Sequence, residues 1–228
     1  MSQGFFVTGT DTGVGKTVVT KALLHAFAEQ KLTTLGYKPI SLGCDETECG
    51  YRNQDAVHLM QAATEEADYC DINPYMLTLQ TSPHIAAHHD GVVIDFTQLD
   101  DALTKHSAHA DVLLVDGVGG WRVPLSDTMC LSQWVVHAKL PVILVVGIQV
   151  GCLNHALLTA EAIRADGLEI AGWVANRINP GTEHYAEIIE TLERQLHTPK
   201  LGEIPYVPSA LRRELSRYIN INILVNGK

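Results

Sequence analysis

The sequence predicts a single-domain α/β fold, a doubly wound and mostly parallel sheet with helices on its faces. Three observations carry that expectation. Short apolar runs alternate along the chain with segments of helical period, the order that builds βαβ units. Two of the runs, Val112-Leu113-Leu114-Val115 and Pro141-Val142-Ile143-Leu144-Val145-Val146-Gly147, are continuously apolar, as strands buried on both faces are. The first run, Phe5-Phe6-Val7, passes through a glycine-rich turn straight into a helical pattern.

That turn is Gly9-Thr10-Asp11-Thr12-Gly13-Val14-Gly15-Lys16-Thr17, and Val19, Ala22, Leu23, Ala26 and Phe27 beyond it share one helix face. Strand, glycine turn and Gly-Lys-Thr at a helix start are the context of a P-loop, a phosphate-binding loop. Gly13 and Gly15 let the backbone curl so that N–H groups converge on an anion. The helix start adds the positive end of its dipole. Lys16 supplies a point charge, and the Thr17 hydroxyl suits Mg²⁺. Five residues separate Gly9 from Gly15-Lys16-Thr17, one more than in the usual pattern, so the loop is a variant.

Leu35-Gly36-Tyr37-Lys38-Pro39-Ile40 reads as a short strand ending at Lys38, because Pro39 removes a ladder donor. Lys38 then stands at a strand's carboxyl end, where open α/β sheets bind ligands, or is simply a solvated lysine. Ser41 to Tyr51 is a polar, acidic loop. Arg52-Asn53-Gln54-Asp55 leads into a helix carrying Ala56, Leu59, Met60 and Ala63. Asp55 is most cheaply explained as a helix cap or dipole partner; the functional alternative is a hard oxygen ligand for Mg²⁺. Thr81-Ser82-Pro83-His84 reads as a loop with a capped helix start; His84 and His88 lack a supporting cysteine or carboxylate for a transition metal.

The apolar strand at 112–115 ends in Asp116 and then Gly117-Val118-Gly119-Gly120-Trp121. An acid at the tip of a buried strand in a P-loop protein is the usual second anchor for Mg²⁺, although an acidic turn has the same composition. Gly151 opens a helix with Ala156, Leu157, Ala160 and Ile163 on its apolar face. Ile170 to Ala175 is a strand ending at Asn176-Arg177, Tyr185 to Leu196 a helix, and Leu201 to Tyr206 a final strand and turn. Ile219, Ile221 and Ile223 alternate with Asn220 and Asn222, the period of an edge strand or frayed tail more than a helix.

With 228 residues, 46% of them hydrophobic, and no break in composition, the chain suits one domain across 1–228. A net charge of −10 argues against a nucleic-acid partner, which would want the opposite sign. The short first apolar run lacks the build of a signal peptide, and no run is long enough to span a bilayer. Five cysteines without a Cys-x-x-Cys spacing read as reduced thiols of a cytoplasmic protein.

Taken together, several of these segments resemble the dethiobiotin synthetases nearly end to end. They are Phe6–Thr17, Gly36–Pro39, Arg52–Asp55, Asn73–Tyr75, Thr81–His84, Gly117–Trp121, Gly151–Ala156, Gly172–Asn176 and Gly202–Tyr206. The longer loop spacing is the family's own form. The resemblance implies ATP- and Mg²⁺-dependent joining of CO₂ to 7,8-diaminopelargonic acid, with ring closure through a carbamic–phosphoric anhydride. It implies Thr12, Lys16 and Lys38 around the carbamate and the moving phosphoryl group, and Thr17, Asp55 and Asp116 on Mg²⁺. Backbone from Gly13 through Val14, Gly15, Lys16 and Thr17 to Val18 would hold phosphate. Asn176, with Arg177 beside it, and Pro205-Tyr206-Val207 would hold adenine. Gly117 would line the substrate site. The family's homodimeric form implies that Asn154 and Tyr185 reach a substrate carboxylate in the neighbouring subunit.

Three positions depart from the family pattern. Leu42 stands where Ser or Thr is frequent, with Ser41 one place early and available to reach in instead. Asp116 replaces the usual Glu, one methylene shorter, which suits contact with Mg²⁺ through water. Arg212 stands near where some members hold ribose with an acid, with Glu214 close by. An altered substrate, or a nucleotide-dependent switch without turnover, is the alternative function. Switch ATPases of the partition type resemble Lys-Gly-Gly-x-Gly-Lys-Thr, but this chain has Asp11 at the place of their extra lysine.

Overall fold

The computed structural model describes residues 2–226; residues 1, 227 and 228 of the expected 1–228 unit lie outside the described residues. Strand β1 (Gln3–Gly9) runs to the glycine turn, and α1 (Lys16–Glu29) starts at its lysine. Val19, Ala22, Leu23, Ala26 and Phe27 are all buried, as their spacing predicts. Then come β2 (Thr34–Tyr37), the two-residue β3 (Ile40–Ser41), and a hairpin of β4 (Asp45–Thr47) and β5 (Gly50–Arg52). All of that hairpin but its last residue, Arg52, lies within the segment expected to be loop. Its strands carry no apolar alternation because β4 is exposed throughout and β5 nearly so.

Helices α2 (Gln54–Ala62) and α3 (Tyr69–Ile72) precede β6 (Tyr75–Met76), which pairs in parallel with β3. Helices α4 (Pro83–Asp90) and α5 (Phe96–Ser107) lead to β7 (Val112–Asp116), followed by α6 (Leu131–Ala138), β8 (Val142–Gly147) and α7 (Cys152–Ala165). The chain continues with β9 (Ile170–Asn176), α8 (Tyr185–Leu196) and β10 (Lys200–Ile204).

The main sheet has the order β10-β9-β8-β1-β7-β2, and every neighbouring pair is parallel. Side chains alternate across it. Phe5, Val7, Leu114, Ile143 and Val145 face α1 and α2, while Phe6, Leu113, Val115, Leu144 and Val146 face α5 to α8. With helices on both faces, β8 is apolar along its whole length and β7 up to Asp116. The chain leaves β1 toward β2 on one side and later crosses from β7 to β8 on the other. The sheet therefore switches direction at the carboxyl end of β1, where the glycine turn lies.

The tail departs from expectation. Ile219 makes one isolated antiparallel bridge to Gly202, but Asn222–Asn226 is a helical turn, α9. Asn220 Oδ1 accepts the Asn222 N–H at 3.0 Å and so starts that turn. Ile221 and Leu224, three apart, are the buried pair against α1's side of the sheet. A local cap and a spacing of three prevail over the alternating pattern. Among the described residues, no helix is long and apolar enough to cross a membrane.

Candidate functional site

The carboxyl ends of β1, β7 and β2 lie side by side and open onto a cavity of about 660 Å³. Thr12, Gly13, Gly15, Lys16, Thr17, Val18, Lys38, Ser41, Leu42, Asp55 and Gly117 of the expected set line it. Asp116 lies wholly buried at the end of β7, and Val14 is buried within the loop. Gly13 and Gly15 take φ of 76° and 90°, the left-handed region that glycine enters without cost. A Cβ on Gly15 would meet Asn176 Nδ2 at 2.1 Å. Asn176 uses that amide to hold the Val14 carbonyl at 2.8 Å, and Thr10 N–H donates to Val145 O at 3.0 Å. The curl is thus fastened from β8 and β9.

Lys16 is buried at the loop mouth, with Nζ donating to its own loop's Asp11 carbonyl at 3.0 Å. Burial, and then the nearby Lys38 charge, push its pKa down to about 8 against the opposing pull of Asp116, Asp55 and Asp11. Lys38 stands one residue beyond β2. Its Nζ meets Asp116 Oδ2 at 2.7 Å, the Gly117 carbonyl at 3.0 Å and Asp55 Oδ2 at 3.5 Å. Burial works against the Lys38 ammonium, but Asp116 and then Asp55 overcome it and hold its pKa above the ordinary lysine value. Lys38 is therefore a fixed charge and not a solvated strand end.

Asp116 also accepts from Thr17 Oγ1 at 2.8 Å and from Thr20 Oγ1 at 3.2 Å. A hydroxyl that donates its proton to a carboxylate keeps its lone pairs for a cation, so Thr17 is prepared as a metal ligand. Thr20 escaped the sequence reading, although its position one helical turn after Thr17 places both hydroxyls toward the same acid. Asp55 does not cap its helix. Asn53 is the cap and accepts the Asp55 N–H at 3.0 Å, leaving the Asp55 carboxylate, 40% exposed, at the cavity wall. Among the described residues, no group of three or more His, Cys, Asp or Glu side chains could hold a metal ion alone. His84 Nδ1 lies 3.0 Å from the Oγ of Ser82, the residue before the helix that starts at Pro83.

Other expected residues are placed differently. Ser41 lies on the wall, but its hydroxyl is buried on Asn73 Oδ1 at 2.6 Å and near Cys44 Sγ at 3.0 Å. It does not replace the hydroxyl absent at Leu42, whose side chain packs on the core. Glu214 is paired with His25 of α1 and accepts the Ser216 N–H, so it turns away from the cavity; Arg212 is exposed. Leu211 reaches the wall instead, its carbonyl held by Lys21 Nζ at 2.8 Å. Asn176 and Ile204 are register partners at the ends of β9 and β10, which puts the Pro205-Tyr206-Val207 turn beside the glycine loop. Arg177 stacks over the Tyr185 ring at 4.7 Å and donates to the Pro180 carbonyl. Asn154, exposed on the first turn of α7, and Tyr185 lie outside this cavity. Burial, with Glu203 beside it, raises the Tyr185 phenol. Arg122, which sequence reasoning passed over although it directly follows Gly117–Trp121, lines the cavity.

A curled glycine loop at a sheet switch point, a buried lysine at its mouth and a threonine hydroxyl set against a strand-tip acid define a P-loop nucleotide-binding protein of the α/β class. A family model described as an AAA domain matches residues 3–213. The chain is 61% identical to the ATP-dependent dethiobiotin synthetase BioD of Vibrio cholerae, over 99% of this chain and 97% of that protein. It is 61% identical to the protein of that name from Vibrio vulnificus, over 99% of each. The chain belongs to the ATP-dependent dethiobiotin synthetase family. Among solved structures, the Pyrococcus furiosus cell division ATPase MinD aligns with a TM-score of 0.60 at 15% identity, covering 96% of this chain and 95% of that one. A ParA family ATPase from Chlorobium tepidum aligns at 0.59 and 12% identity, covering 100% and 95%. These last two share the fold.

Proposed function

We propose that this chain is a dethiobiotin synthetase that joins CO₂, directly or from bicarbonate, to 7,8-diaminopelargonic acid and closes the ring at the expense of ATP. The observation that supports it most is the convergence in one cavity of the glycine loop, Lys16, Lys38 and the Asp55 carboxylate. The residues fit the ligands. Lys16 is buried at the loop mouth with its Nζ on the Asp11 carbonyl, a place where a triphosphate would supply a paired anion. Thr17 and Asp55 offer hard oxygens for Mg²⁺, with phosphate oxygens and water completing its shell. Asp116, one methylene short of the usual Glu, acts on the metal through Thr17 and water.

Bound ATP and Mg²⁺ would supply the activated phosphoryl group and the charge neutralisation that make the carbamate electrophilic. The chain's part is positioning and charge. Backbone N–H groups from Gly13 to Val18 hold phosphate. Lys16 and Lys38 offset charge on the equatorial oxygens, and Thr12 orients the carbamate. Asn176, Arg177 and the 205–207 turn hold the base. Gly117, Ser41 and Leu42 form the substrate wall; Leu42 makes it apolar beside the aliphatic part of the diamine. We assign Asn154 and Tyr185 to the substrate carboxylate of a neighbouring subunit in a homodimer. The domain is single and cytoplasmic, with no nucleic-acid or membrane partner.

The test is purified protein with ATP, Mg²⁺, labelled bicarbonate and the diamine. Label should appear in dethiobiotin. Background label beside an active control enzyme would reject the reading.

A further inference from the structure

We propose that Asn73 is a positioning residue that sets Lys38 and the helix start bearing Asp55 through one buried hydrogen-bond network. The proposal rests on the synthetase reading of the cavity. Lys38 lies just past the sheet, where β2 ends at Tyr37, and Pro39 follows it. No ladder therefore holds its backbone. Two consecutive residues do so instead: the Ile72 carbonyl accepts the Lys38 N–H at 2.8 Å, and Asn73 Nδ2 donates to the Lys38 carbonyl at 2.8 Å.

The same amide reaches further. Asn73 is fully buried, and its Oδ1 accepts from Ser41 Oγ at 2.6 Å and from the Tyr69 hydroxyl at 3.2 Å. Its second N–H points to the Tyr75 carbonyl at 3.4 Å. Two donors and two lone pairs are thus all in use. The Tyr69 hydroxyl in turn accepts the Asn53 N–H at 2.7 Å. Asn53 caps α2 by accepting the Asp55 N–H and donates Nδ2 to the Leu42 carbonyl at 3.1 Å. One side chain therefore ties together three segments of the cavity wall, at Lys38, at Ser41-Leu42 and at Asn53–Asp55. None of these contacts involves the glycine loop, which is fastened from β8 and β9. The Ser41 hydroxyl thereby serves the network and not the ligand.

A buried amide that only filled its own valences would affect stability, nucleotide affinity and turnover together. The positioning role separates them. Asn73→Ala is expected to lower kcat by about tenfold to a hundredfold, the cost of a displaced catalytic group. Nucleotide affinity without Mg²⁺ should stay within about twofold, because the loop is untouched. In a double-mutant cycle run at saturating Mg²⁺, which offsets the arm that acts through Asp55, Lys38→Ala combined with Asn73→Ala should be no slower than Lys38→Ala alone, since the remaining effect of both passes through one ammonium group. Tyr69→Phe, a milder change, should raise the Mg²⁺ concentration for half-maximal turnover through the Asp55 turn and speed hydrogen exchange at the Asn53 amide. It keeps the proposal testable if Asn73→Ala does not fold. Multiplicative losses in the cycle would overturn it, as would equal losses of kcat and nucleotide affinity, or an unchanged Mg²⁺ requirement in Tyr69→Phe. If the wild-type protein forms no labelled product, it is the synthetase reading that fails. Amide exchange at Lys38 in Asn73→Ala and at Asn53 in Tyr69→Phe then decides the network alone: faster exchange than in wild type upholds it and unchanged exchange overturns it.

Discussion

Lys16 carries a measurable signature. Its pKa is drawn from 10.5 down to about 8 by burial and by Lys38, which corresponds to about 3 kcal/mol against the charged form. Because the unfolded chain holds this proton more tightly, the penalty is complete below pH 8 and fades as pH rises from 8 toward 10.5. An anion at the loop restores the lysine's affinity for its proton. Nucleotide binding at pH 8.5 is therefore expected to take up protons, and at pH 6.5 to take up almost none from this group. Calorimetry in two buffers of different ionisation enthalpy reads the difference; a heat independent of buffer at pH 8.5 would remove Lys16 from the anion site. Lys38 behaves in the opposite way, since Asp116 and Asp55 keep it charged. Lys38→Ala should cut turnover far more than nucleotide binding. It should also cost roughly 3 kcal/mol of stability, because Asp116 is left buried with only hydroxyl partners. Turnover and affinity are to be measured well below the variant's Tm, and an equal loss of both would contradict the role. The sequence made both lysines visible through motif and strand end. Helix position alone favours Asp55 as a cap, and only the contact between Asn53 Oδ1 and the Asp55 N–H settles which residue caps.

At the scale of elements, what repeats locally was legible and what pairs at a distance was not. The six sheet strands and α1, α7 and α8 are all placed from the sequence, β7 and β8 by continuous apolar runs and α1 and α7 by helical spacing. The parallel pair β3 and β6 has two residues a side, too short for any period to show. The Asn73 network joins residues 2 to 35 positions apart, and no spacing rule encodes it. A second long-range contact leads to a prediction. Asp166, which caps the carboxyl end of α7, accepts from Trp121 Nε1 at 2.7 Å and from Arg122 Nη1 and Nη2 at 2.7 and 2.9 Å. It pins the far end of the Gly117–Trp121 loop, whose glycines floor the cavity. The guanidinium is half exposed, so its pairing is weakened by water. Most of the loss should come from the indole N–H and the freed loop. Asp166→Ala is expected to cost about 1–2 kcal/mol in urea unfolding and to raise KM for the diamine more than KM for ATP. A KM for the diamine equal to wild type would show that this tether does not shape the substrate wall.

At the scale of the whole molecule, the architecture is carried by pattern more than by identity. A P-loop ATPase only 12% identical superposes over the full chain with a TM-score of 0.59. What distinguishes this chain lies at the carboxyl edge of the sheet and on the surface near α7. Val150, 97% exposed, stands just before α7, and Leu158, 57% exposed, lies one turn beyond Asn154 on the same helix face. Asn154 is thus flanked by two largely exposed apolar side chains, outside the cavity it is proposed to serve. A second copy would cover Val150 and Leu158 and bring each Asn154 to the other's cavity, in an isologous arrangement that serves both sites at once. The assignment predicts complementation. Lys38→Ala stops turnover in its own cavity but keeps a sound Asn154; Asn154→Ala keeps its own cavity sound and lacks the group offered to the other. If each is nearly inactive alone, equal mixing with subunit exchange puts half the dimers in the mixed form, each with one intact site. Activity should then recover to about a quarter of wild type. If Asn154 served its own cavity, both sites of the mixed dimer would be damaged, and activity would stay at the level of the two variants separately. A size measurement showing a monomer at assay concentration would remove the shared site altogether.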